Sequence, residues 1–195
     1  MNIVFVDTNL DVCRALDDAF RGVSGVEVEH GRFQDVPEWD CVVSPANSYG
    51  MMDGGFDLHL SRFFGPMLQQ NVHDVISRQH AGVQPVGTCE IVETGSIKHP
   101  FVAHAPTMVV PGPIHMTNNV FFAMKAVLLA AKKHNRKGKR IIQRLLCPGL
   151  GTATGHVPPH SAARQMRRAF GLVADPPKGM DWNEAQKIQI SIAPG

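Results

Sequence analysis

Two glycine-rich loops, each directly behind a short apolar run, restrict the architectures open to this chain. The first is Ser44-Pro45-Ala46-Asn47-Ser48-Tyr49-Gly50-Met51-Met52-Asp53-Gly54-Gly55-Phe56-Asp57, following residues 40–43. The second is Cys147-Pro148-Gly149-Leu150-Gly151-Thr152-Ala153-Thr154-Gly155, following residues 141–146. Glycine allows close approach of backbone to a ligand and the positive φ values that turn successive amides inward. Two such loops at strand ends predict a cleft gripping a ligand with more than one phosphate.

The remaining pattern alternates strand and helix. Residues 3–6 read as a first strand ending in the turn-forming Asp7-Thr8-Asn9, and Leu10, Val12, Cys13, Leu16, Ala19 and Phe20 follow helical spacing. Residues 26–28 and 41–43 read as strands, and 55–64 and 67–79 as helices separated by Gly65-Pro66. Residues 88–93 and 101–110 read as antiparallel neighbours across the Gly95 turn. A long helix over residues 117–135, a strand over 141–146 and a helix from 158 or 161 to 170 follow, with residues 188–192 alternating like an edge strand. The prediction is an α/β protein, a three-layer α/β/α sandwich with a mixed central sheet, folded as one domain over residues 1–195 with a peripheral tail from 176.

Composition narrows the partners. A formal net charge of +2 gives no general case for nucleic acid, and 44% hydrophobic with 18% charged residues is ordinary for a globular protein. The basic block Lys132, Lys133, His134, Arg136, Lys137, Lys139 and Arg140 suits a solvated helix end; an RNA- or phosphate-binding patch is the alternative. Four scattered cysteines, with no Cys-x-x-Cys pair, read as small core residues in a reducing compartment. The N-terminus reads as a strand rather than a signal peptide, and no apolar run is long enough to span a bilayer. The expectation is a cytoplasmic protein without a membrane partner. His156 and His160 are four apart, but Pro158-Pro159 between them breaks a regular helix and no third ligand is evident, so neither metal nor cofactor is expected.

Neither loop is a P-loop, which needs Gly-x-x-x-x-Gly-Lys-Ser/Thr, and Gly149, Gly151 and Gly155 miss the dinucleotide spacing by one residue. Instead, Ser44-Pro45-Ala46-Asn47 followed by Asp53-Gly54-Gly55, then the late Pro148–Gly155 loop and Ser161-Ala162-Ala163-Arg164-Gln165-Met166, resembles the macro domain family. The likeness is to a divergent branch found in bacteria, phages and fungi, and it covers most of the chain in order and spacing. It implies binding of ADP-ribose or a related nucleotide. Asn47, beside Ser48, would hold the distal ribose, and Gly54 and Gly55 would open a helix facing the ligand. Gly149, Leu150, Gly151, Thr152, Ala153, Thr154 and Gly155 would wrap the diphosphate. The competing role for Asn47 is a turn asparagine bonding its own backbone.

One departure concerns the base. The family usually has Gly-Asp-Ile, its aspartate receiving the adenine amino group, where this chain has Gly31-Arg32-Phe33. Arginine cannot accept a hydrogen bond, leaving Asp7, Asp35 or stacking on Phe33 as substitutes. Catalysis at the distal ribose would need activated water and a group to handle the leaving oxygen. Asp57 and His104 are the candidates, with Asp53 as an alternative carboxylate. Their structural alternatives are a first-turn helix acid and a core or cleft-wall histidine. The expected function is hydrolysis at the distal ribose of ADP-ribosyl groups or ADP-ribose 1''-phosphate. The alternative is a non-catalytic module reading ADP-ribosylated protein or nucleic acid, or sequestering a nucleotide signal.

Overall fold

The computed structural model describes residues 1–137 and 140–194; Lys139 of the basic block lies outside the described residues. The strands are β1 (Asn2–Asp7), β2 (Val26–His30), β3 (Cys41–Ser44), β4 (Glu90–Glu93), β5 (Phe101–His104) and β6 (Arg144–Cys147). The helices are α1 (Leu10–Phe20), α2 (Gly55–Phe64), α3 (Met67–His80), α4 (Asn119–Lys137), α5 (Pro159–Ala174) and α6 (Trp182–Ile192), with a 3-10 turn at Phe33–Asp35. The strands form one sheet in the order β2-β1-β6-β3-β5-β4, parallel except for β4, which pairs antiparallel with β5 as expected across the Gly95 turn.

Alternation along the strands separates two apolar layers. Ile3, Phe5, Cys41, Val43, Phe101, Ala103 and Leu145 pack with residues of α1, α4 and α5. Val4, Val6, Val42, Val102 and Leu146 pack with Leu60 of α2 and Leu68, Val72 and Ile76 of α3. Burial on both faces is why β1, β3 and β6 read as nearly continuous apolar runs. The result is the three-layer α/β/α sandwich with a mixed sheet. Cys13, Cys41 and Cys147 are buried, Cys89 is half-buried, and all four are free thiols.

Two element assignments are corrected. Residues 188–192 belong to helix α6, not to an edge strand. Asp181 caps α6 by accepting from the Glu184 N–H, and Ile188 and Ile192, four apart, face the core while Ile190 between them is exposed. The β5 ladder stops at His104 rather than residue 110. Its continuation runs beside the loop after β3, with Ala105 N–H donating to Ser44 O, Thr107 N–H to Ala46 O, and Asn47 bridging Met108. No helix among the described residues is long and apolar enough to cross a membrane.

Candidate functional site

The carboxyl ends of β1, β6, β3 and β5 face one cleft of about 420 Å³. In this order β1 and β3 flank β6 and their onward connections diverge, so the segments after each strand part and leave a crevice. Asp7, Thr8 and Asn9 enter it from β1, Pro148 to Gly155 (Leu150 excepted) from β6, residues 45–47 and 53–57 from the β3–α2 connection, and Thr107 and Met108 from beyond β5.

The loop after β6 is shaped by close packing. A Cβ on Gly155 would lie 2.5 Å from the Gly151 carbonyl oxygen, and Gly151 has φ +72, so both positions need glycine. Gly149 N–H donates to Asp7 Oδ2 at 3.1 Å, tying this loop to the end of β1, and Thr152 Oγ1 donates back to Gly149 O. Among the described residues none accepts from the N–H of Thr152, Ala153 or Thr154. These three residues line the cleft, and successive unpaired amides in a turn are the kind of group that anion-binding concavities use. Leu150 differs from expectation: its side chain is fully buried in the core and does not reach the cleft.

The opposite wall is the start of α2. Gly54 caps this helix without a side-chain hydrogen bond, so its first-turn N–H groups at Gly55, Phe56 and Asp57 have no intrahelical acceptor, and all three residues line the cleft. Gly55, at φ +54, stands close to Thr154 of the opposite loop, whose Oγ1 would be 3.9 Å from a Cβ there. Residues with unpaired amides thus line the cleft from both sides.

Asp57 is 6% exposed and lines the cleft. Its Oδ1 accepts a 2.6 Å hydrogen bond from Ser44 Oγ at the end of β3. Burial raises its pKa to about 7, against the Ser44 hydrogen bond, which favours the ionised form. A carboxyl so placed holds its proton well above the usual carboxylate range. Asp53, the alternative carboxylate, also lines the cleft but is exposed.

Other expected residues take different positions. The Asn47 side chain is committed to its own loop: Nδ2 donates to Met51 O at 2.8 Å, and Oδ1 accepts from the N–H groups of Tyr49 and Met51. This is the turn role, although Asn47 also borders the cleft. Ser48 is buried outside the cleft lining, its N–H donating to Met108 O and Val109 O. Phe33 is buried against Phe56, Phe63 and Trp39, with centroids 5.2 to 6.2 Å apart, and offers no face for stacking a base. Asp35 is exposed and forms a two-pronged ion pair with Arg32. Of the three substitutes for the base contact, only Asp7 reaches the cleft.

His104 lies furthest from its expected place. Its register partner is Ser44, yet the imidazole is fully buried and does not line the cleft. Nδ1 lies 2.7 Å from Gln84 Oε1, and Gln84 Nε2 donates back to His104 O. Burial, with His73 and His80 nearby, lowers its pKa to about 3, so it is neutral at physiological pH. Sequence reasoning passed over Thr8, Asn9, His59, Met51 and Pro111 as cleft-lining residues. The available signal was the Asp7-Thr8-Asn9 turn at the carboxyl end of the first strand. Among the described residues no cluster of three or more His, Cys, Asp or Glu could hold a metal ion.

A three-layer α/β/α protein whose parallel strands end in a cleft lined by residues with unpaired backbone amides is the class that this geometry defines. Its particular place in that class comes from comparison with known proteins. The Macro domain model matches residues 43–166, which include both glycine-rich loops, and the chain belongs to that family. An uncharacterized protein of Aquifex aeolicus is 33% identical over 141 residues, 72% of this chain and 78% of that protein. The macrodomain of Mycobacterium tuberculosis DarG is 18% identical, with a TM-score of 0.61, covering 75% of this chain and 90% of that one. A variant of the Oceanobacillus iheyensis macrodomain, solved with ADPR, is 15% identical with a TM-score of 0.59, covering 80% and 86% of the two chains.

Proposed function

We propose that this protein binds ADP-ribose or a derivative and hydrolyses a bond at the distal ribose. The observation that carries the reading is one cleft lined on both sides by residues with unpartnered amides, at residues 152–154 and at the start of α2, with the protonatable Asp57 beside the second. The diphosphate accepts from the amides, and the distal ribose lies towards Asp57. Family membership and the ADPR-bound Oceanobacillus iheyensis variant support the choice of ligand. Asp57 protonates the leaving atom as the bond to C1'' breaks, and its carboxylate then takes the proton of the attacking water, whose oxygen forms the new bond.

Calorimetric titration with ADP-ribose, with AMP and ribose 5-phosphate as controls, tests the ligand. Binding of ADP-ribose well above either fragment is expected; no binding of ADP-ribose overturns the reading. Turnover is tested with Asp57→Ala, which should abolish it and leave the fold intact.

A second reading, a non-catalytic module for ADP-ribosylated protein or nucleic acid, is favoured by one observation. The imidazole of His104 is buried and outside the cleft lining, so the histidine expected to act with Asp57 does not reach the cleft. Wild-type binding with no turnover of any ADP-ribose derivative would select it.

A further inference from the structure

The charge inventory of the cleft bears on what the distal ribose carries. The inference rests on the ADP-ribose reading above. Among the described residues lining the cleft there are three carboxyl side chains, those of Asp7, Asp53 and the buried Asp57, and no lysine or arginine; His59 is the one imidazole there. The amides at residues 152–154 and at the start of α2 are enough for a diphosphate, because main-chain N–H groups and a helix terminus stabilise phosphate without a full positive charge. A further phosphate on C1'' would bring up to two more negative charges to the end of the cleft that holds Asp53 and Asp57. No guanidinium or ammonium waits there, although arginine and lysine are the usual partners of a terminal phosphate.

The surface at that end is apolar. Met51 and Pro111 line the cleft, and Tyr49, Met51, Val109 and Val110 are 42 to 60% exposed. They form one edge because their two segments are tied together. Asn47 Nδ2 donates to Met51 O, Asn47 bridges Met108, and Ser48 N–H donates to Met108 O and Val109 O. Scattered exposed apolar residues are unremarkable, but here Met51 lines the cleft, Val109 and Val110 lie between the lining residues Met108 and Pro111, and Tyr49 lies between Asn47 and Met51, which marks a contact surface beside the cleft.

We propose that the group joined to C1'' of the bound ADP-ribose is uncharged with an apolar body, aromatic or aliphatic, and is not phosphate. Its occupant is fixed by continuity with the cleft: whatever hangs from C1'' beside Asp57 leaves over the edge formed by Met51, Val109 and Val110. Hydrolysis of such an adduct balances without a further reactant. Water oxygen bonds to C1'', the C1''–leaving-atom bond breaks, the leaving atom takes the Asp57 proton, and Asp57 regains a proton from the water.

The test uses the full wild-type chain and three probes: ADP-ribose, its 1''-C-phenyl analogue and its 1''-phosphonomethyl analogue. The carbon–carbon bond at C1'' keeps both analogues intact, so calorimetry reads binding alone. The phenyl analogue should bind at least as tightly as ADP-ribose. The phosphonomethyl analogue should bind about tenfold more weakly, the scale of one unscreened like-charge contact. Met51→Lys should narrow or reverse that order by supplying a cation at the edge. A phosphonomethyl analogue that binds as tightly as ADP-ribose, or a phenyl analogue that binds more weakly than ADP-ribose, overturns the proposal and leaves the ADP-ribose reading standing. Failure of ADP-ribose itself to bind overturns both.

Discussion

In the loop between β3 and α2 side-chain hydrogen bonds hold the structure, whereas the loop between β6 and α5 depends chiefly on close packing around its glycines, with one hydrogen bond each from Thr152 Oγ1 and to Asp7 Oδ2. Asn47 makes three hydrogen bonds inside the first loop, and Ser44 at its start bonds Asp57 at its end. The second loop relies on glycines at places where a Cβ has no room, and leaves a run of amides free. The first wall therefore contains carboxyl groups that can change protonation, and the second presents backbone dipoles with the hydroxyls of Thr152 and Thr154. Fixed dipoles suit the phosphates common to every ADP-ribose derivative. Titratable and apolar side chains suit the end where those derivatives differ from one another.

The hardest test of this contrast is Gly155→Ala. The new Cβ would meet the Gly151 carbonyl oxygen at 2.5 Å and an Ile114 side-chain carbon at 2.7 Å. A backbone atom cannot rotate aside, so the loop must move, at a cost of more than about 2 kcal/mol. Loss of ADP-ribose binding together with a fall in Tm is expected. Near-wild-type affinity would mean that the second wall does not hold the ligand.

Asp57→Asn comes next, because it removes the proton-transfer group of the first wall and keeps its shape and an acceptor for Ser44. Turnover should fall by about a hundredfold or more, with ADP-ribose affinity changed little. The same substitution alters the pH dependence of stability. Burial raises the folded pKa of Asp57 to about 7, above its unfolded value, so the folded chain holds a proton that the unfolded chain releases near pH 4. Stability from this group is therefore fully present at low pH and lost as pH rises from about 4 to about 7, by a sum on the order of 4 kcal/mol. The Asn variant lacks that decline. Urea unfolding at pH 4 and pH 8 measures it: equal slopes for the two chains would show that Asp57 is not buried as described.

Much of this architecture is legible in the sequence, and what is not has a common cause. The strands and both loops can be read because strands buried on both faces are continuous apolar runs, and glycine clusters mark their ends. The positions that the sequence leaves open depend on which element covers a strand end or turn. Phe33 was free to stack on a base until α2 brought Phe56 and Phe63 against it. His104 lies on a strand that ends at the cleft, but Gln84, from the connection after α3, takes up its imidazole. Asp7 emerges from three candidates only because β1 lies beside β6, a pairing of residues about 140 apart in sequence. No local pattern encodes that adjacency.

Asn47→Ala should have an intermediate effect. It removes one donor and one acceptor that brace the turn at Tyr49 and Met51, each worth about 1 kcal/mol. If Asn47 acts through the loop, Tm and affinity should fall together, and affinity should recover at low temperature, where the turn is held by its neighbours. If it contacts the ribose directly, affinity should fall with Tm unchanged. Thermal unfolding beside calorimetry separates the two.

The smallest expected effect is the most selective. Gly54 lines the cleft, and a Cβ there would meet nothing within 4 Å, in contrast to Gly155. Its backbone is extended, with φ −146 and ψ 166, a conformation open to any residue. Nothing in the fold therefore requires glycine at 54, and Gly54→Ala should leave stability within about 0.5 kcal/mol of wild type. If the space before α2 is filled by ligand, the added methyl group meets that ligand, and ADP-ribose affinity should drop by about threefold to tenfold, the cost of roughly one mispacked methyl. Unchanged affinity would put the ligand against the second wall alone, and the start of α2 would lose its assigned part in binding. A drop in affinity at constant Tm would identify Gly54 as a glycine kept open for the ligand, and Gly155 as one kept for the chain.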